Sequence, residues 1–381
     1  MSSIAAETYN HKKNMIKILP TSLILVLIAI NTFGQPLTEG KVIVQKILAP
    51  SIQNNKGGED PLRKISVYVP PGYSESTQRY PTIYFLHGVG VNDSLMLVWT
   101  GLKELMDKAI ATGKIQPMIL VLPNSDNRFR GSFYTNSTLA GNWADFIGKD
   151  VVAYIDKNFR TIPHRNSRGL SGHSMGGNGA LKIGMLFSDV FSSVYAMSPA
   201  VLNWSGDFTI KNSGFKRLSK SKTEKEILKA FDDSDQLDET GFYAGIFAAM
   251  GRAYSPDPSV AIFQATLPVS FIGDSVVYNT TAIKKWEANF PVNMIGDHID
   301  HLKSFTAIKI DWGRNEDFAH IPVTAMQFSK KLETYRIKHF AEEYIGDHIN
   351  MLGGFDGRIY TELLPFFNTY LKFELTKIKR N

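Results

Sequence analysis

Cysteine is absent from the 381 residues of this chain. That excludes disulfides, thiolate metal sites, a cysteine nucleophile and a lipid-modified N-terminal cysteine. Net charge is also small for the length: 42 Lys and Arg against 36 Asp and Glu leave +6. No compact basic stripe accompanies it, so no nucleic-acid partner is expected. The densest basic stretch (Lys216, Arg217, Lys220, Lys222, Lys225) is interrupted by Glu224 and Glu226 and reads as a solvated helix face. Charged residues are only 20% of the chain against 43% hydrophobic, which excludes a disordered polyampholyte or a long coiled coil.

A long apolar run is missing too. Leu23–Ile30 is eight uninterrupted apolar residues, whereas a membrane-spanning helix needs about 20. His11, Lys12, Lys13 and Lys17 precede that run. A basic lead before a short apolar core is the pattern of a secretory signal peptide, expected over residues 1–34 with cleavage near Gly34–Gln35. Residues 35–381 then form one domain, secreted or periplasmic in a bacterium. No stable membrane insertion is expected after cleavage.

What is present is an alternation of short apolar runs with helical patterns, which argues for an α/β fold with a mostly parallel sheet and helices on both faces. Strands are expected at Lys41–Leu48, Lys64–Val69, Thr82–Leu86, Met118–Leu122, Gly169–Ser171, Val194–Met197, Phe305–Ile310 and Phe340–Ile345. Several are wholly apolar, as strands buried on both faces are. Between Trp143 and Phe159 apolar residues recur at helical spacing, and helices are also expected at Gly177–Phe187, Ile321–Ile337 and Ile359–Phe373. Residues 199–302 are less regular and read as a long insertion, or lid, after the sixth strand.

The strongest motif is Gly172-His173-Ser174-Met175-Gly176, a G-x-S-x-G followed by Gly177. It ends an expected strand and opens an expected helix, the context of a nucleophile elbow. Glycine two residues either side of the serine lets strand and helix backbones approach. The helix N-terminus favours a developing anion. Ser174 is therefore the expected nucleophile, and His173 a structural residue pointing away from it. A serine needs a base, and the base an orienting acid, in the chain order Ser, acid, His. Of the five histidines after Ser174, His348 lies on the loop beyond the last strand, where the base belongs. His298 sits in a near copy of that context (Ile295-Gly296-Asp297-His298) but precedes the strand that should deliver the acid. The acid is expected in Asp311-Trp312-Gly313-Arg314-Asn315-Glu316-Asp317. Asp317, beyond the glycine turn, is favoured, with Asp311 and Glu316 as alternatives. His87-Gly88-Val89-Gly90 follows the third strand, so the N–H groups of Val89 and Met175 are the expected oxyanion donors.

With these pieces in place the chain resembles the esterase D, feruloyl esterase and S-formylglutathione hydrolase-like family of α/β-hydrolases, from about Arg63 to Phe367. The resemblance is carried by Gly131-Ser132-Phe133-Tyr134-Thr135-Asn136-Ser137, Gly141-Asn142-Trp143, Tyr154-Ile155-Asp156 and Arg160-Thr161-Ile162. The elbow and Phe191–Pro199 complete it. By that resemblance Ser174, Asp317 and His348 form the triad. The family's base often stands in Gly-Gly-His-Asp-Trp; here the text is Gly-Asp-His-Ile-Asn. The resemblance implies a serine esterase working through an acyl-enzyme, without metal or organic cofactor, on small-molecule or oligosaccharide esters. Feruloyl or acetyl esters of carbohydrates are the leading class. Substrate contacts are expected from Ser132, Tyr134 and Asn136, and from insertion aromatics such as Trp204, Tyr243 and Trp286. The alternatives are an acyltransferase of the mycolyltransferase type, an S-formylglutathione hydrolase-like thioesterase, and a catalytically silent binding protein on a hydrolase scaffold.

Overall fold

The computed structural model describes residues 39–232, 238–273 and 275–374. The signal segment expected over residues 1–34 lies outside them. The described residues form one compact unit. Its centre is an eight-stranded sheet of β1 (Lys41–Leu48), β2 (Leu62–Val69), β3 (Thr82–Leu86), β4 (Ile119–Pro123), β5 (Arg168–His173), β6 (Ser193–Met197), β7 (Ala307–Gly313) and β8 (Phe340–Tyr344). In space the order is β1-β2-β4-β3-β5-β6-β7-β8. The β1–β2 and β2–β4 pairs are antiparallel, and β4 through β8 run parallel.

Period-two alternation explains why the central strands are apolar throughout. In β3, Ile83 and Phe85 enter one core layer, while Tyr84 and Leu86 enter the other. The first layer is covered by α1 (Asp93–Thr100), α2 (Leu102–Ala111) and the closing helix Leu364–Tyr370, through Met96, Leu105, Met106 and Phe367. The second is covered by the helix through Val152–Asn158, by α3 (Met175–Leu186) and by α4 (His320–Thr334), through Ile155, Ile183, Ala325 and Phe328. Each covering helix presents an apolar stripe, which is what burial against a sheet requires.

Several expected boundaries move. The seventh strand runs to Gly313 rather than ending at Ile310, because Lys309 through Gly313 pair with Phe340 through Tyr344 of β8. Asp311 therefore lies inside the sheet. The expected last helix is a turn at Ile359–Leu363 followed by the helix Leu364–Tyr370. The described residues between β6 and β7 make a long excursion. It contains helices Gly214–Lys220 and Glu224–Asp232, the long helix α5 (Glu239–Tyr254) and a two-stranded pair, Val269–Ile272 with Ser275–Tyr278. The excursion shares the second core layer through Phe208, Phe215, Phe247 and Trp286. It is packed on the sheet as part of one core.

Candidate active site

Ser174 sits between β5 and α3 with φ 58° and ψ −119°. This left-handed geometry is rare for a residue with a side chain and is the strained turn of a nucleophile elbow. Glycine is required around it. A Cβ on Gly172 would stand 2.7 Å from the Leu86 carbonyl oxygen, and one on Gly176 would be closer still to that same oxygen. A Cβ on Gly177 would stand 2.8 Å from the Met197 carbonyl. The Ser174 N–H donates to the Met197 carbonyl at 3.1 Å, which ties the elbow to β6.

Two cavities meet at Ser174. One, about 30 Å³, is lined by Val89, Phe133, Met175, Val201, Phe242, Tyr243, Ile246, Phe318 and His320 beside the serine. The other, about 140 Å³, is lined by Val91, Trp99, His173, His348 and Ile349. Phe242 and Phe318 border both, and their rings stack at 5.7 Å. Phe133 (φ 46°) and Val201 (φ 60°) also hold left-handed backbone on the smaller cavity. Non-glycine strain of this kind gathers at functional sites.

His348 lies beyond β8, as the order of elements requires. Its Nδ1 is 2.7 Å from Oε2 of Glu316, and both side chains are nearly buried. The acid partner is thus Glu316, which corrects the expectation of Asp317. The reason is register. Because β7 continues to Gly313, the turn after it is laced to the His348 loop by two backbone bonds, Arg314 N–H to Tyr344 and Asn315 N–H to Gly346. Gly313 makes that approach possible, since a Cβ there would stand 2.8 Å from the Asp347 carbonyl. The lacing turns Glu316 inward, to 1% side-chain exposure, and leaves Asp317 exposed. Asp311 is fully buried and already committed: its Oδ2 accepts from Tyr195 and from Arg358, both at 2.5 Å.

His173 faces His348, with ring centroids 4.5 Å apart, and its Nε2 bonds the His348 carbonyl at 2.8 Å. Burial, reinforced by His348 itself, pushes its pKa well below the ordinary histidine value. It is therefore neutral, and its Nε2–H donates. The residue beside the serine thus fixes the backbone of the loop that carries His348. His298, the near copy, bonds the Met294 carbonyl within its own turn.

Val89 and Met175 both border the 30 Å³ cavity beside Ser174. The turn before Val89 is held from three sides. Tyr134 Oη donates to the His87 carbonyl at 2.9 Å, Ser125 N–H donates to His87 Nε2 at 2.9 Å, and Gly90 N–H donates to the Arg130 carbonyl at 2.8 Å. Burial pulls His87 down to about 4, so it stays neutral and keeps that acceptor.

Four expected substrate contacts are scaffold instead, and none lines either cavity. Ser132 is buried, and its Oγ accepts from the Tyr134 N–H at 3.3 Å. The fully buried Tyr134 supports the His87 turn and packs on Gly179. Asn136 accepts from the N–H groups of Ala144 and Asp145, starting the following helix. Trp286 is fully buried, stacks on Trp204 and donates to Ser255 Oγ at 2.8 Å. Of the three insertion aromatics expected at the substrate, Trp204, Tyr243 and Trp286, only Tyr243 lines either cavity, beside Phe242 and Ile246 of α5. No sequence signal singled out Phe242, Ile246 or Phe318: they look like any core residue until tertiary packing sets them around the serine. Among the described residues no group of three or more His, Asp or Glu could hold a metal ion.

The strand order, the elbow after β5 and a histidine beyond β8 define the α/β-hydrolase class. A solved ferulic acid esterase superposes with a TM-score of 0.58 at 20% identity, over 87% of this chain and 99% of that one. Residues 60–356 match the Putative esterase family, and the chain belongs to that family. Among curated relatives, Esterase MT1326 of Mycobacterium tuberculosis is 33% identical over 144 residues, 36% of this chain and 29% of the relative. An endo-1,4-beta-xylanase/feruloyl esterase of Xylanibacter ruminicola is 33% identical over 121 residues, 30% of this chain and 16% of the relative. The chain thus spans under a third of the length of these two proteins.

Proposed function

We propose that this protein is a serine esterase that cleaves carboxylic esters through an acyl-enzyme. The observation that carries the reading is the strained Ser174 sharing a cavity with His348, whose Nδ1 is held by the buried Glu316 carboxylate. Glu316 keeps the proton on Nδ1 and leaves Nε2 free as the base. His348 takes the Ser174 proton as Oγ attacks the ester carbonyl. The N–H groups of Val89 and Met175 receive the oxyanion, a contribution of several kcal/mol in enzymes of this kind. Collapse expels the alcohol, which takes the proton from His348. Water then repeats the sequence and frees the acid.

The leaving alcohol must lie beside the group that protonates it. The 140 Å³ cavity bordered by His348 therefore receives the alcohol, and the 30 Å³ cavity receives the acyl group. Export to a bacterial periplasm or exterior, and a carbohydrate alcohol, are part of this reading. They rest on the basic and apolar N-terminal segment and on family relatives such as the xylanase/feruloyl esterase. Of the two acyl groups, feruloyl and acetyl, the narrow acyl cavity favours acetyl.

The test is kcat/KM for p-nitrophenyl acetate beside methyl ferulate, with Ser174→Ala as the blank. Turnover of acetate that disappears in the variant supports the esterase and the small acyl group. A strong preference for ferulate moves the acyl group into the larger cavity. Turnover of neither, or turnover that survives Ser174→Ala, overturns the reading.

A further inference from the structure

The acyl cavity contains a second histidine held by an acid. His320 opens α4, is 3% exposed and borders the cavity beside Ser174. Its Nδ1 is 2.8 Å from Oδ1 of Asp207, and its backbone N–H donates to the same oxygen at 2.7 Å. The other oxygen of Asp207 accepts from Tyr243 Oη at 2.5 Å. Burial opposes ionisation of Asp207, but the hydrogen bonds and Coulombic attraction of His320, with the hydrogen bond from Tyr243, outweigh it and hold the carboxyl down to about 2. An ionised Asp207 accepts from Nδ1–H, and on the neutral ring the lone pair then lies on Nε2. That Nε2 is buried and meets no partner.

An unmet buried acceptor costs about 1–3 kcal/mol, so structures rarely leave one without a use. Its neighbours leave the donor missing. Phe133, Val201, Phe242, Ile246 and Phe318 are apolar, the Tyr243 hydroxyl is spent on Asp207, and the Ser174 hydroxyl gives its proton to His348 in the esterase reading. The group that completes the site must come with the ligand. Since this wall belongs to the acyl cavity, the donor belongs to the acyl chain. Resting on the esterase reading above, we infer that His320 is a specificity-determining residue that accepts a hydrogen bond from a hydroxyl on the acyl group. The preferred substrates are then esters of short hydroxy acids. Asp207 and Tyr243 are positioning residues, which fix the tautomer and the ring.

The experiment compares kcat/KM within pairs in which a hydroxyl replaces a methyl of equal size: phenyl glycolate against phenyl propanoate, and phenyl 3-hydroxypropanoate against phenyl butanoate. Ser174→Ala is the blank for both. At least one pair should favour the hydroxy ester by about tenfold or more, because a site built to bind a hydroxyl rejects the analogue that lacks it. His320→Phe, which keeps the ring and loses the acceptor, should bring that ratio near one. His320→Gln, whose amide oxygen can accept, should restore part of it. Reading the ratio inside each variant cancels any general loss of activity. A wild-type ratio near one in both pairs overturns the assignment whether or not either variant folds. So does a ratio that His320→Phe leaves intact, or faster turnover of phenyl hydrogen malonate than of the hydroxy esters. Ser174-dependent turnover of the methyl-bearing esters with no hydroxyl preference refutes this inference alone. Absence of any Ser174-dependent turnover refutes the esterase reading as well.

Discussion

Replacing Glu316 by Gln tests the candidate triad most sharply, because the neighbouring Asp317 supplies an internal control. The Glu316 carboxylate is 2.7 Å from His348 Nδ1 at 1% side-chain exposure, and its second oxygen meets no partner. Its charge is therefore spent on His348 alone. In the transition state His348 becomes an imidazolium. Unit charges about 4 Å apart interact by about 4 kcal/mol at an effective dielectric near 20, and about 1.4 kcal/mol is tenfold in rate. Glu316→Gln keeps an acceptor for Nδ1–H and removes the charge, so kcat for p-nitrophenyl acetate should fall about a thousandfold. Asp317→Asn, on an exposed side chain, should stay within about threefold of wild type, as surface changes do. Steady-state kinetics on the two variants, with near-ultraviolet circular dichroism to check folding, decides the matter. A loss under tenfold for Glu316→Gln, or a larger loss for Asp317→Asn, would refute the assignment.

Gly176→Ala should destabilise the fold by several kcal/mol because its Cβ would enter the Leu86 carbonyl; the urea midpoint checks it, and an unchanged midpoint contradicts the packing. Lys182, eight residues after the nucleophile, is buried against neutral acceptors, the nearest being Thr135 Oγ1 at 2.7 Å, and burial lowers its pKa from 10.5 to about 7. The unfolded chain then binds more protons than the native one between these values, so Lys182 makes stability rise with pH across that window, by up to about 1.4 kcal/mol per unit. Lys182→Met should remove this slope, so the stability difference between wild type and variant should change with pH across the window; parallel curves would show Lys182 to be charged in the native state. Arg358→Met leaves the buried Asp311 without its cation and should cost about 3–5 kcal/mol, measured by denaturant unfolding. A loss below about 1 kcal/mol would mean that Asp311 takes up a proton instead.

Local pattern alone reached far in this chain. The eight strands lie close to where the sequence pattern placed them, and the central ones, buried on both faces, have little freedom in composition. The elbow was legible because two of its glycines face backbone carbonyls that no side chain can clear, so steric necessity writes itself into adjacent letters. His348 followed from the order of elements, which the parallel sheet imposes. Tertiary structure decided the rest. Glu316 and Asp317 are neighbours with the same chemistry, and only the lacing of Asn315 to Gly346 turns one inward and the other to solvent. Ser132, Tyr134, Asn136 and Trp286 carry polar groups that a sequence offers equally to substrate and to scaffold, and packing spent them on scaffold. Asp207 and His320 lie 113 residues apart, on the excursion and on α4, and nothing local marks them as a pair. Short-range sterics and hydrophobic period are properties of a few consecutive residues. The acid partner and the lining of a cavity are properties of distant segments brought together, and only the folded chain fixes them.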